Sequence, residues 1–186
     1  MIIGITGTLG AGKGTVVEYL IKTRGFKHYS SSGFVKEEVV QLGLPLNRDT
    51  ISQTARDLRA QHGPGYIVAS NFSRAEQDRG DAVLEAIQTL GEAQEIKKRG
   101  GILWGVDADI KTRYERITKR GSEKDNVSFD KFVAQEGIEL HAKDPSDVGQ
   151  QNIAGVMAIA DGVIYNNGTQ EELFAQVEEA LKKASK

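Results

Sequence analysis

The chain opens on a short apolar run, Ile2-Ile3-Gly4-Ile5-Thr6, which meets a cluster of glycines and then a stretch containing Val16, Val17, Tyr19, Leu20 and Ile21. That order of signals predicts strand, loop, helix. Further short runs at Phe26 to Ser30, Ala82 to Ala86, Ile102 to Val106 and Gly162 to Tyr165 predict four more strands. The stretches Thr50 to Gln61, Tyr66 to Gln77, Gly91 to Arg99, Asp109 to Arg120 and Thr169 to Lys183 space their apolar residues by three and four, as helices do. Strands alternating with helices imply parallel strands joined by crossovers and covered on both faces. The fold class expected is α/β, a three-layer domain around a parallel five-stranded sheet.

The last helix carries the clearest start signal, because Thr169 and Glu172 have the spacing of a capping box. Between Gly121 and Gln151 the chain turns polar, with Gly121-Ser122 and Asp144-Pro145-Ser146 as breakers around a helix expected at Phe129 to His141. A length of 186 residues suits one α/β domain, so residues 1–186 are read as one unit with a lid insertion at about 121–149.

Composition narrows the function classes. The formal net charge of -2 gives no reason to expect a protein that coats nucleic acid or a membrane surface. The absence of cysteine excludes a disulfide framework, a thiolate zinc site and a cysteine nucleophile. The apolar start is cut short by glycines with no basic stretch before it, so a cytoplasmic protein is expected. Oligomeric state is not legible.

The strongest chemical signal is Gly7-Thr8-Leu9-Gly10-Ala11-Gly12-Lys13-Gly14-Thr15, lying directly between the first strand and the first helix. A loop that wraps phosphates needs its N–H groups turned inward, in conformations and at distances that a β-carbon obstructs. The following helix presents its positive end to the same anion. Gly10, Ala11, Gly12, Lys13, Gly14 and Thr15 are therefore expected to hold ATP, with Lys13 at the β and γ phosphates. The Thr15 hydroxyl is the candidate metal contact, for Mg2+. The general pattern places Ser or Thr immediately after the lysine, whereas here Gly14 intervenes.

The Gly-Lys-Gly-Thr form resembles the loop of adenylate kinase and other nucleoside monophosphate kinases. Beyond it, the chain resembles P-loop small-molecule kinases, namely nucleoside monophosphate kinases and dephospho-CoA kinase, including an uncharacterised archaeal kinase-like group. Ser30-Ser31-Ser32-Gly33-Phe34-Val35-Lys36 looks like the start of their acceptor-binding segment, with Lys36 where Arg is frequent and no Asp. Arg56 to Tyr66 resembles a helix and turn of the archaeal group. Glu85-Ala86-Ile87-Gln88 stands where those kinases carry an acid followed by glycine and arginine, so Glu85 keeps the acid and Gln88 replaces the arginine. Asp161 to Thr169 looks like the dephospho-CoA kinase ending, whose loop lies beside the adenine, which points to Asn167. The resemblance implies a small-molecule nucleotide acceptor held by Ser32, Lys36, Arg56, Arg59 and Gln88. It also implies Glu85 as the group that orients metal-bound water or the attacking oxygen. A regulatory GTPase is disfavoured, because neither Asp-x-x-Gly nor Asn-Lys-x-Asp occurs in the chain.

Arg113, Arg116 and Arg120 fall on one stripe of the predicted helix from Asp109. One explanation is a solvated surface paired with Glu115 and Glu123. The other is that arginines fold over the transferring phosphoryl group and stabilise its spread charge, with Arg116 and Arg120 facing it. Phe34 and Tyr66 could stack on a base or simply pack. His28, His62 and His141 are scattered without ligand spacing, Trp104 reads as core, and one of Asp107 and Asp109 reads as a helix cap. The reaction expected is transfer of the γ-phosphoryl group of ATP to a nucleoside or deoxynucleoside monophosphate. The alternatives are transfer to a ribose hydroxyl, as in dephospho-CoA kinase, and a non-catalytic nucleotide switch.

Overall fold

The structure is a computed structural model that describes residues 1–120, 128–144 and 146–185. The first strand, β1 (Ile2–Gly7), leads through the glycine loop into α1 (Lys13–Arg24) and then β2 (Lys27–Ser30). Three helices follow, α2 (Ser31–Gln41), α3 (Arg48–His62) and α4 (Tyr66–Gln77), before β3 (Ala82–Glu85), α5 (Leu90–Lys98) and β4 (Ile102–Asp107). The rest comprises α6 (Ile110–Arg120), α7 (Phe129–Leu140), α8 (Ile153–Ala158), β5 (Gly162–Tyr165) and α9 (Gln170–Ala184).

The sheet has five strands in the order β2-β3-β1-β4-β5, and every pairing is parallel. Each crossover then needs a helix on one face or the other, and alternate strand residues choose the face. Ile3, Ile5, Val83, Trp104 and Val106 point to α1 and α9, where they pack with Val16, Val17, Leu20, Leu173 and Val177. Ala82, Leu84 and Leu103 point the other way, to Val68, Phe72, Ala93, Ile96 and Val156 of α4, α5 and α8. Gly4 sits on that second face, and a Cβ there would stand 2.3 Å from the Ile96 side chain. Its missing side chain lets α5 close on the centre of the sheet.

The five expected strands and the helices expected after the loop and at α3 to α7 and α9 are present within a residue or two of their anticipated ends. Two further helices were not anticipated. α2 covers most of the segment expected to start the acceptor site, and its two serines, a glycine and clustered valines suit a helix poorly. It forms because the Ser30 hydroxyl accepts from Gly33 N and because Phe34, Val35 and Val39 bury against Ile67 of α4. α8 is only 6 residues long, too short to show a period, and starts at an Asn152 cap. Of the expected lid, residues 121–127 and 145 lie outside the described residues. Within the described part, α7 is anchored by Phe132, 1% exposed, and by the buried pair Arg113–Glu136. No helix among the described residues is long and apolar enough to cross a membrane.

Candidate functional site

β1 lies between β3 and β4, and the chain leaves it on opposite sides for the two halves of the sheet. A crevice opens at the carboxyl end of such a central strand. The glycine loop fills its floor. Gly7 has φ 140°, and a Cβ there would lie 1.9 Å from the Val106 carbonyl oxygen of β4, so only glycine lets the chain turn out of the sheet at this point. Gly12 has φ 99° and ends the loop as the residue before α1; no side chain caps that helix. Thr15 N and Val16 N bond back to the Gly12 carbonyl at 3.0 and 3.2 Å, so the N–H groups of Lys13 and Gly14 are the ones left for an anion.

Lys13 bends back across the loop, donating from Nζ to the carbonyls of Gly7 and Thr8, each at 2.8 Å. Burial pushes its pKa below the usual lysine value, against the opposing pull of the Glu85, Glu139 and Asp107 carboxylates. Lys13 lines a cavity of about 450 Å³ together with Leu9, Gly10, Gly12, Gly14, Thr15, Glu85, Arg116, Ile117 and Arg120. The structure therefore gathers the loop, the carboxylate at the end of β3 and two arginines of α6 around one space. A Cβ on Gly14 would meet no protein atom within 4 Å, so protein packing does not explain that glycine.

The three arginines separate into different roles. Arg113 is a brace: its Nε donates to the Ala108 carbonyl at 2.7 Å, and its guanidinium forms a two-pronged pair with Glu136 of α7. Arg116 stands at the cavity and donates to Asn166 Oδ1 at 3.3 Å, while its Nη1 is buried without a hydrogen-bond partner. Arg120 lines the same cavity.

Asn166 was not anticipated. It is 8% exposed, and its Nδ2 donates to the Ala11 carbonyl at 2.9 Å, so one amide ties the loop to Arg116. The expected neighbour, Asn167, is exposed and instead accepts from Asp109 N at 2.7 Å, fixing the entry to α6. Only a step of one residue along the chain separates the two, and sequence alone offered no way to choose. Asp107 likewise does not cap α6. Its Oδ1 accepts from the Thr8 hydroxyl at 2.6 Å, which makes it a second tie on the loop.

Beside the loop cavity lies a second, of about 600 Å³, lined by Ser30, Ser31, Ser32, Ser52, Arg56, Arg59, Glu85 and Gln88, with Val35, Ile51, Ala55 and Ala86 as its apolar wall. Ser32, Arg56, Arg59 and Gln88 are thus brought together as the sequence suggested. Lys36 is not: it is exposed on α2 and does not line the cavity. Arg59 is set by a buried carboxylate. Glu92, 1% exposed, accepts from Arg59 Nη2 at 3.0 Å and from the backbone N–H groups of Gln88 and Thr89 at 3.0 and 3.2 Å. Thr89 and Glu92 form the capping box of α5, a spacing visible in the sequence but not singled out there. Phe34 and Tyr66 pack edge to face with ring centroids 6.2 Å apart, and neither lines the cavity. His28, set aside on sequence grounds, meets Glu85 across β2 and β3, with Nε2 2.9 Å from Oε2. The parallel register that pairs Ser30 with Glu85 brings the two together, which no sequence spacing could indicate.

The family and the fold are shared with known proteins. The family described as AAA domain, AAA_18, matches residues 3–139. The chain belongs to that family. Over 98% of its length it is 28% identical to a UPF0200 protein of Staphylothermus marinus, covering 92% of that relative. It is 27% identical, again over 98% of its length, to the UPF0200 protein of Pyrococcus horikoshii, covering 97% of it. Among solved structures, TT1252 from Thermus thermophilus superposes with a TM-score of 0.62 at 21% identity, covering 98% of this chain and 97% of that one. A shikimate kinase from Bacteroides thetaiotaomicron superposes with a TM-score of 0.55 at 11% identity, covering 100% and 99% of the two chains. The fold is that of the P-loop kinases.

Proposed function

We propose that this chain is an ATP-dependent phosphotransferase that moves the γ-phosphoryl group onto a small-molecule nucleotide acceptor. The observation that carries this reading is that one carboxylate, Glu85, lines both the glycine-loop cavity and the serine and arginine cavity beside it. Two adjoining sites with a polar group on their border are what direct transfer needs, since its catalysis is mainly positioning and charge stabilisation.

In this reading the amides of Gly10 to Thr15 and the Lys13 ammonium hold the donor phosphates. Arg116, whose Nη1 is buried and unpartnered, and Arg120 face the transferring group. Thr15 would hold the magnesium ion, which supplies charge neutralisation at the phosphates. The uncapped start of α1 and the unobstructed face of Gly14 suit a triphosphate. The helix α7, fixed to the loop side through Arg113 and Glu136, belongs to the cover over that cavity.

The Gly-Lys-Gly-Thr loop favours a nucleoside monophosphate acceptor. A second reading, transfer to a hydroxyl, is favoured by the Glu85 carboxylate held by His28 at the border of the two cavities. The test is ATP-to-ADP turnover with magnesium in the presence of each common ribo- and deoxynucleoside monophosphate or dephospho-CoA. Stimulation that disappears in Lys13→Ala is the expected result; unchanged turnover in that variant would sink the donor assignment.

A further inference from the structure

The order of the cavities says more about the acceptor than its size does. Glu85 is common to the loop cavity and the acceptor cavity. Arg56 and Arg59 are common to the acceptor cavity and a third space of about 420 Å³, bounded by Ala60, Pro64, Ser146, Asp147, Val148 and Gly149. A carboxylate therefore marks the border with the donor side, and two cations mark the border with the opposite space.

The cations are not equivalent. Arg59 is paired with the buried Glu92 at 3.0 Å, although its Nε is buried without a partner. Arg56 has only a neutral partner, Gln53, whose Oε1 accepts from Nη2 at 2.8 Å, and no carboxylate pairs with it among the described residues. Arg56 thus brings an uncompensated charge to this border, where an anion would find a charge-assisted partner.

At the other border the carboxylate of Glu85 has one oxygen occupied by His28 Nε2, and its Oε1 has no partner among the described residues. A neutral hydroxyl would donate to that free oxygen, whereas a phosphate dianion has no proton to give it. A nucleoside monophosphate that reacts through its phosphate must put its anion at the Glu85 end, leaving Arg56 without one.

We infer that the acceptor reacts through a neutral hydroxyl at the Glu85 end of its cavity while an anionic group of the same molecule, a phosphate or a carboxylate, is held at the far end by Arg56 and Arg59. This rests on the phosphotransferase reading above. The hydroxyl oxygen forms a bond to the γ-phosphorus as the bond from that phosphorus to the β,γ-bridging oxygen breaks. The electron pair leaves with ADP, and the hydroxyl proton passes to Glu85. The products are ADP and a phosphomonoester.

The intact chain with ATP and magnesium would be offered AMP, CMP, GMP, UMP, adenosine, ribose, ribose 5-phosphate, glycerol and glycerate, and the products read by phosphorus NMR. The nucleotides are informative because each carries both a phosphate and hydroxyls: attack by the phosphate gives a diphosphate, attack by a hydroxyl gives a second monoester. The expected result is a monoester product, with an anionic acceptor preferred over its neutral counterpart by about 10- to 100-fold in kcat/KM. Arg56→Met should erase that preference and leave KM for ATP unchanged. Ribose 5-phosphate against glycerate tells a bound phosphate from a bound carboxylate. A nucleoside diphosphate product, or an Arg56→Met variant with the preference intact, would overturn the inference while the phosphotransferase reading stands. No stimulation by any acceptor, with ATP still bound at the loop, would overturn both.

Discussion

Replacing Glu136 by alanine should destabilise the protein by about 3 to 5 kcal/mol, because it removes one partner of a buried ion pair and leaves the other charge in place. Both side chains are 7% exposed, and the carboxylate left to Arg113 is the more distant Asp107, whose Oδ1 lies 3.7 Å from Nε. Arg113 Nε keeps the Ala108 carbonyl at 2.7 Å and its Nη1 keeps only a long contact of 3.4 Å to the Leu9 carbonyl, while Nη2 loses its acceptor. With an unfolding entropy of about 2.1 cal/mol/K per residue, a chain of 186 residues should lose roughly 8 to 13 °C in Tm. The assay is thermal unfolding followed by circular dichroism at fixed pH and salt. Glu18→Ala serves as the control, since its pair with Lys22 is exposed on both sides and should contribute less than about 1 kcal/mol. If Glu136→Ala shifts the midpoint no further than Glu18→Ala, the pair does not hold α7 to α6 and the reasoning fails. Nucleotide affinity should fall as well, because Arg113 lies directly against the loop at Leu9.

Asn166→Ala should weaken ATP binding by about 10-fold or more, as it frees the Ala11 carbonyl and releases Arg116 together; calorimetric titration against Asn167→Ala, expected to be milder, decides whether the assigned asparagine is the right one. Affinity for ATP should also fall as pH rises through the depressed Lys13 pKa, below the ordinary value of 10.5, because the ammonium that meets the phosphates is lost there. Over the same window the nucleotide-free protein should gain stability from this group, since the unfolded chain then holds a proton that the folded one does not. A binding curve flat from neutral pH to about 10, or one whose slope survives in Lys13→Met, would remove Lys13 from the phosphate contacts.

The local pattern determined the elements and the glycine loop. Periodicity of two and of three and four, together with glycines packed between a strand and a helix, was enough for the five strands, most helices and the loop from Gly7 to Thr15, because each is a property of neighbours in the chain. The grouping of Ser32, Arg56, Arg59 and Gln88 at one cavity was legible through resemblance. What only the tertiary structure decided is which of two adjacent groups does the work. Asn166 rather than Asn167 faces the loop, since β5 delivers the first inward and the second to solvent. Arg113 is taken up by Glu136, 23 residues away, which leaves Arg116 and Arg120 at the cavity. His28 reaches Glu85, 57 residues distant, through the register of two parallel strands. Parallel pairing, helix rotation and burial are set by the whole core at once, so partners brought together across such distances leave no mark on local spacing.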